Sequence, residues 1–88
     1  MKSTQTRTSF KKDLKRIRKR GLDRGQLDAV IDLLCRGLPL PAARRDHPLK
    51  GEWEGWRECQ IEPDWLLIYK ITDDEVLLAR TGTHADLF

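Results

Sequence analysis

Hydrophobic residues recur at helical spacing near the start of the chain. Phe10, Leu14 and Ile17 follow one another at intervals of four and three residues, which predicts an amphipathic helix over residues 10–20. Ser9 stands directly before this pattern and is the expected N-cap. The opposite face of the predicted helix consists almost entirely of Lys and Arg.

A second apolar stripe follows at once and predicts a second helix, closed by Gly37. Asp23 and Gln26 precede it at the spacing of a capping box. The stripe itself consists of Leu27, Val30, Ile31 and Leu34. Because each helix has only one apolar face to bury, we expect an antiparallel helical hairpin packed against another layer.

The remainder of the chain predicts a small antiparallel sheet. Three prolines make regular structure unlikely over residues 38–50. Beyond them, aromatic and aliphatic runs predict strands over residues 56–61, 65–71 and 76–81, joined as a meander. The middle run is apolar on both of its faces, which indicates a central strand covered on both sides. Residues 2–8 alternate loosely and are a candidate edge strand, so the sheet would have about four strands.

Length and composition restrict what this α+β chain can be. With 88 residues it is expected to be a single domain, residues 1–88, without room for a separate cofactor domain. No apolar run approaches the ~20 residues that span a bilayer, and the N-terminus lacks a signal-peptide core, so a cytoplasmic location and no membrane partner are expected. Cys35 and Cys59 are expected to be buried, reduced thiols.

The charge is distributed unevenly along the chain. Residues 1–24 contain ten basic and two acidic side chains, a net charge of +8, whereas residues 25–88 contain seven basic and twelve acidic ones, a net charge of −5. A basic segment of this kind is typical of proteins that bind a polyanion such as nucleic acid, although a solvated helix surface has the same composition.

Few kinds of catalytic site are compatible with the polar residues. The chain has two histidines and two cysteines without any short paired spacing, and it has no phosphate-binding glycine loop, so neither a metal nor a cofactor is expected. The remaining candidates lie in the proline-rich connection or where strands begin and end: His47, Asp64, Arg80 and His84. Since neighbouring antiparallel strands reverse direction, Asp64 and Arg80 are expected to be close in space.

Two imidazoles, a carboxylate and a guanidinium suit the cleavage of RNA. The ribose 2′-OH attacks the adjacent phosphate, a base takes its proton, an acid protonates the departing 5′-oxygen, and a cation stabilises the phosphorane. Other interpretations of the same residues remain open. His47 is equally compatible with a turn residue, and the tryptophans are more typical of core than of base stacking. Phe88 can be either a packing residue or a stacking platform.

Three motifs, in order along nearly the whole chain, resemble the YafQ branch of the RelE/ParE toxin superfamily. They are Asp46-His47-Pro48-Leu49-Lys50-Gly51, Glu62-Pro63-Asp64-Trp65-Leu66-Leu67-Ile68-Tyr69 and Arg80-Thr81-Gly82-Thr83-His84-Ala85-Asp86-Leu87-Phe88. The resemblance implies a two-helix hairpin on an antiparallel sheet of about four strands. It also implies a type II toxin that cuts translated mRNA in the ribosomal A site. Its implied partners are the ribosome with its mRNA and an antitoxin, typically of the ribbon-helix-helix type. Operator DNA would be bound only through the toxin–antitoxin complex.

The resemblance assigns roles to individual residues. His84 is expected to be the general acid, His47 the base or the group that orients the 2′-OH, and Arg80 the phosphate-binding cation. Asp64 is expected to hold an imidazole or a ribose hydroxyl. Substrate contacts are expected from Phe88, Trp65, Gln60 and Lys50. Gln60 departs from the family pattern, where a histidine can stand at this position. Glutamine cannot exchange a proton near neutrality, so either His47 and His84 suffice or the activity is weakened.

The basic helix acquires a more specific interpretation from this resemblance. Seven side chains are expected to contact ribosomal RNA, or an acidic antitoxin segment: Lys11, Lys12, Lys15, Arg16, Arg18, Lys19 and Arg20. A competing hypothesis is a ParE-like toxin that inhibits DNA gyrase without cutting RNA, or a binding module that acts only as a corepressor. The set formed by His47, His84 and Arg80 favours the nuclease, because a relative that is not an enzyme does not need it.

Overall fold

Two helices cover one face of the sheet in the computed structural model, which describes residues 1–88. Helix α1 is Thr8–Lys19 and helix α2 is Arg24–Cys35, so the helical hairpin predicted from the apolar stripes is confirmed. The predicted N-cap of α1 is wrong. Arg7 occupies that position, while the Ser9 hydroxyl lies inside the first turn and donates a 2.9 Å hydrogen bond to the Ala79 carbonyl. The helix therefore begins earlier than its apolar stripe and is fastened to the sheet there.

The start of α2 agrees only partly with the predicted capping box. Asp23 is the N-cap, and its carboxylate accepts a hydrogen bond of 2.9 Å from the Gly25 backbone N–H. Gln26 does not reach back to the cap. Its side-chain amide donates instead to the Glu62 carboxylate at 2.8 Å, because this side chain faces the sheet and finds a tertiary partner.

The sheet has five strands, one more than the approximate number expected, in the order β1-β5-β4-β3-β2. The strands are β1 (Ser3–Thr6), β2 (His47–Pro48), β3 (Arg57–Glu62), β4 (Trp65–Ile71) and β5 (Glu75–Gly82). The predicted meander of β3, β4 and β5 is confirmed, and the candidate edge strand is β1, which pairs with β5 in parallel.

The additional strand is β2. It lies within residues 38–50, a segment that we expected to be irregular because of its prolines. His47 and Pro48 pair with the start of β3 at the edge of the sheet, where the missing N–H of proline costs no ladder hydrogen bond. A 3₁₀ turn over Ala42–Arg44 precedes this strand and another over Gly51–Trp53 follows it.

Strand β4 separates two hydrophobic clusters, as its sequence predicts. Trp65, Leu67 and Tyr69 pack under the helices, whereas Leu66 and Ile68 face the opposite side of the sheet. Both cysteines are free and buried. Burial raises the pKa of the Cys59 thiol to about 12, so this thiol stays protonated at neutral pH. None of the helices is long and apolar enough to cross a bilayer.

A buried carboxylate joins α1 to the end of β5. Asp13 is only 1% exposed and accepts two hydrogen bonds from Arg80, at 2.7 Å from Nε and 3.1 Å from Nη2. The Thr81 backbone N–H donates to the same carboxylate at 3.1 Å. A buried charge is tolerated when it is paired and hydrogen-bonded in this way, and these bonds fix the position of the helix relative to the strand.

Removal of this carboxylate should destabilise the protein. We expect Asp13→Ala to lower the free energy of unfolding by about 2–3 kcal/mol, because it leaves Arg80 and the Thr81 N–H without their partner. The matched control is Asp28→Ala, which breaks an exposed ion pair with Arg24 and should cost less than about 0.5 kcal/mol. Urea unfolding of both variants measures the difference, and equal losses would contradict the role assigned to Asp13.

Candidate functional site

The last residues of the chain form one short helical turn that presents His84. This helix, α3, is His84–Leu87, and Thr83 is its N-cap. A reciprocal capping box fixes the turn: the Thr83 hydroxyl accepts from the Asp86 N–H at 3.1 Å, and the Asp86 carboxylate accepts from the Thr83 N–H at 2.9 Å. Leu87 is buried against the sheet face opposite the long helices. His84 is therefore held at the end of β5 by local hydrogen bonds and by one apolar contact.

His84 and Asp64 are in direct contact. Nδ1 of His84 lies 2.9 Å from Oδ1 of Asp64, and the same oxygen accepts from the His84 backbone N–H at 3.2 Å. The hydrogen bond from the imidazole, followed by that from the backbone, lowers the pKa of the Asp64 carboxyl. An ionised Asp64 accepts a hydrogen bond from the Nδ1–H of His84, so Nε2 is the nitrogen of the imidazole that is left to exchange a proton. Both side chains are largely exposed, as a site for a macromolecule requires.

The ring of Phe88 lies beside His84. The centroids of the two rings are 6.4 Å apart with an angle of 40° between their planes, and Phe88 is 60% exposed. Phe88 is therefore not a packing residue, and the other interpretation left open by the sequence, a stacking platform, stays a prediction.

Arg80 approaches the same region from β5 but does not contact Asp64. Its Nε and Nη2 atoms bind Asp13, and Nη2 also lies 3.4 Å from the Asp86 carbonyl oxygen. The hydrogen bonds to Asp13 raise the pKa of the guanidinium, which stays charged. Nη1 of Arg80 has no hydrogen-bond partner within the chain, and the side chain is 23% exposed. This atom is the one that remains available to an anion.

His47 is placed apart from this group. It lies on β2, and three inter-strand spacings of ~4.8 Å separate β2 from β5 by ~14 Å. Its Nδ1 lies 3.1 Å from the Pro48 carbonyl oxygen, and Nε2 lies 3.4 Å from the carboxylate of Glu58, which is 7% exposed. Asp46, the preceding residue, is bound by Arg57 and Tyr69, so the connection is anchored at this point.

The three remaining substrate candidates differ in their placement. Trp65 is only 2% exposed and its indole N–H donates to the Thr81 hydroxyl at 2.8 Å, so its predicted contact with substrate is wrong and its role is to support the end of β5. Gln60 is half-buried on β3, which lies between the strands of His47 and Arg80. Lys50 is exposed and makes no polar contact within the chain.

Helix α1 carries its basic side chains on the surface, but two of them are already engaged. Arg20 binds Asp86 through Nη1 at 2.6 Å and Nη2 at 3.1 Å, and Nη1 of Arg16 lies 3.6 Å from the same carboxylate. The other five make no ion pair and are exposed. We call them the free basic surface: Lys11, Lys12, Lys15, Arg18 and Lys19.

Three acidic residues that act around the site were not recognised in the sequence. Asp13 falls at helical spacing between Phe10 and Ile17, within the apolar stripe of α1, and an acid at such a position is a readable signal of a buried ion pair. Asp86 stands three residues after Thr83, the spacing of a capping box, so its role as a cap is readable, whereas its ion pair with Arg20 leaves no local pattern. Glu58 carries no comparable signal. The structure contains no group of three or more His, Cys, Asp or Glu side chains placed to hold a metal ion.

Comparisons with known proteins agree with this fold. The mRNA interferase toxin YafQ of Escherichia coli strain K12 is 50% identical over 80 residues, which are 90% of this chain and 87% of that protein. A copper-bound variant of a toxin from Helicobacter pylori has a TM-score of 0.95 at 41% identity, over 100% of both chains. A chain of the E. coli DinJ–YafQ complex has a TM-score of 0.91 at 45% identity, over 100% of this chain and 99% of that one.

These likenesses define the class: an α+β bacterial toxin whose helical hairpin packs on a five-stranded mixed sheet. The family model described as the bacterial toxin of type II toxin–antitoxin systems, YafQ, matches residues 2–88. This chain belongs to the YafQ family.

The contact between His84 and Asp64 predicts an altered titration of the carboxyl group. We expect Asp64 to titrate below the ordinary value of ~3.9, and His84→Ala to raise its pKa towards that value, because the hydrogen bond from the imidazole is the largest cause of the shift. Carbon-detected NMR of the carboxyl resonances measures both values. Asp28, which is remote from the site, is the internal control. An Asp64 pKa that does not respond to His84→Ala would contradict the contact.

Proposed function

We propose that this chain, an mRNA interferase toxin of the YafQ family, cuts translated mRNA in the ribosomal A site without a metal ion. The observation that carries the proposal is the hydrogen bond between His84 and Asp64, which leaves Nε2 of an exposed imidazole free beside an exposed aromatic ring. The relative from E. coli, at 50% identity, is an mRNA interferase.

The reaction begins when the 2′-oxygen of the substrate attacks its own phosphate. The bond between phosphorus and the 2′-oxygen forms and the bond to the 5′-oxygen breaks, which leaves a 2′,3′-cyclic phosphate and a 5′-hydroxyl. His84 protonates the leaving 5′-oxygen through Nε2, and Asp64 stabilises the imidazolium that this step requires. The free Nη1 of Arg80 stabilises the negative charge of the phosphorane, and Phe88 stacks on a base. The proton of the attacking 2′-OH has still to be removed, and the remaining candidate for this role is His47.

His47 takes the proton of the 2′-OH or orients this hydroxyl from the β2 side of the sheet. The strands of His47 and Arg80 are ~14 Å apart. The side chains of these two residues span part of this distance, and the bent RNA backbone lies between the two side chains. Gln60 lies on β3, between these two strands. It has no titratable proton, so its role is to hydrogen-bond to the phosphate or to a base edge. In this arrangement the site has two histidines, His47 and His84, and it has Gln60 at the position where the family pattern can have a further histidine.

The free basic surface of α1 contacts the ribosomal RNA that frames the A site. Lys and Arg side chains without internal partners gain the most binding free energy from contact with phosphate, since no ion pair has to be broken first. In the absence of the ribosome, a cognate antitoxin of the ribbon-helix-helix type holds the toxin inactive, and the pair represses its operon. The similar E. coli toxin YafQ forms a toxin–antitoxin complex with DinJ. Operator DNA would be bound by the complex of this chain with its antitoxin rather than by this chain alone.

Loss of His84 should abolish cleavage. In translation in vitro, primer extension on the mRNA should reveal cuts by the wild type, and His84→Ala should reduce them by roughly 10²-fold or more, because the general acid is missing. Asp28→Ala, far from the site, is the control for folding. Inhibition of DNA gyrase without any cleavage by the wild type would overturn the proposal in favour of a ParE-like activity.

Charge reversal on α1 should weaken association with the ribosome. We expect Lys15→Glu combined with Lys19→Glu to lower binding by on the order of tenfold or more in sedimentation assays, because phosphate contacts are lost and repulsion is introduced. The control combines Arg24→Glu with Arg36→Glu, which makes the same change of charge at the first residue and at the C-cap of α2. Equal losses from the two double variants would indicate a general effect of net charge and would contradict a contact at α1.

A further inference from the structure

The Asp86 carboxylate is shared between two elements. Its two oxygens accept from Nη1 and Nη2 of Arg20 at 2.6 and 3.1 Å, and the side chain as a whole is 14% exposed. The hydrogen bonds from Arg20, and then that from the Thr83 backbone, hold the pKa of this carboxyl far below its usual range. A two-point pair of this kind fixes both distance and orientation between its partners. It connects the last turn of α1 with α3.

Helix α3 depends on tertiary contacts for its position. A helix of four residues is not stable by itself, since one turn does not compensate for the cost of nucleation. The capping box closes the turn internally. Other contacts orient α3 relative to the body of the protein: the buried side chain of Leu87, the weak contact between Arg80 and the Asp86 carbonyl, the hydrogen bonds of His84 to Asp64, and the ion pairs of Asp86 with Arg20 and, at 3.6 Å, with Arg16. Of the two arginines, Arg20 is the one that binds Asp86 through two nitrogens. His84 precedes Asp86 by two residues and Phe88 follows it by two.

Gly82 provides independent support for the importance of this contact. A Cβ atom at this position would lie 2.8 Å from Oδ2 and 3.1 Å from Cβ of Asp86. Only glycine therefore allows the Asp86 side chain to lie against the end of β5 in the place where Arg20 reaches it.

We propose that Arg20 and Asp86 are positioning residues that clamp α3 to α1 and thereby hold His84 on Asp64 and Phe88 beside it. This inference rests on the proposed function for its catalytic consequence. It also reassigns Arg20, which the sequence suggested as a contact to RNA. In the clamp, Arg20 acts through Asp86 and does not touch the substrate.

The two roles of Arg20 predict opposite outcomes for a pair of variants. If Arg20 binds RNA, Arg20→Gln raises KM, whereas Asp86→Asn frees the guanidinium and leaves KM unchanged or lower. If Arg20 belongs to the clamp, both variants lower kcat in the same way. Asn at position 86 retains an oxygen that can accept from the Thr83 N–H, so this variant removes the charge of the pair while keeping the cap.

The experiment measures kcat and KM for cleavage on programmed ribosomes. We expect Arg20→Gln and Asp86→Asn each to lower kcat by about three- to tenfold with KM within about twofold of the wild type, and Arg20→Lys, which keeps the positive charge, to retain part of the kcat that Arg20→Gln loses. The matched control is the exposed pair of Arg24 and Asp28 on α2, where Arg24→Gln and Asp28→Asn should leave kcat within about twofold. Unchanged kcat in both clamp variants, or opposite effects of the two on KM, would overturn the proposal.

A second readout tests the clamp without cleavage. In Arg20→Gln, release of α3 should raise the pKa of the Asp64 carboxyl towards its ordinary value, because the imidazole no longer stays in contact with it. In Asp86→Asn the rise should be smaller, because this variant also removes a nearby negative charge that itself raises the Asp64 pKa. If the wild type fails to cut mRNA, the proposed function is refuted. The titration still tests the clamp in that case, because it measures the contact between His84 and Asp64 and not cleavage. An Asp64 pKa equal to that of the wild type in both variants would refute the clamp.

Discussion

The buried carboxylate of Asp13 is the constraint on which the rest of the structure depends. A charge at 1% exposure must have partners, and besides Arg16 of its own helix, at 3.4 Å, it binds Arg80 and the Thr81 N–H at the end of β5. The packing of α1 on the sheet and the direction of the Arg80 guanidinium are consequently settled by the same set of hydrogen bonds. One nitrogen of that guanidinium, Nη1, is left outside the pair, so an interaction that stabilises the fold also leaves one hydrogen-bond donor free, which is the donor that the proposed reaction uses.

Most of the fold is readable from the sequence, because the apolar spacing that defines each element is local. The stripes of α1 and α2, the meander and the doubly covered strand β4 all follow from such spacing. The failures concern interactions between distant parts of the chain. Ser9 looks like a cap but bonds to the sheet, and Pro48 looks like a breaker but tolerates a sheet edge, since an edge position does not need its N–H.

The residues of the site are predictable for a different reason, and less completely. The motifs around Asp64 and His84 identify two side chains that the fold then brings into contact. Their resemblance to a family does not reveal that Trp65 is buried in the core, or that the strand of His47 is separated from that of Arg80 by two other strands. It also does not reveal that Arg20 is bound to Asp86, because that pair joins elements 66 residues apart in the chain. Ion pairs between distant positions leave no periodic trace in a single sequence.

The two-residue strand β2 has a consequence for the behaviour of the molecule among other proteins. A sheet edge is a template on which a foreign strand can add, and its attractiveness grows with the length of its free N–H and C=O row. At this edge the row is two residues long, and Pro48 contributes no N–H to it. The β2 side of the sheet is thus poorly suited to recruit another chain, which protects a small toxin from edge-to-edge aggregation on that side.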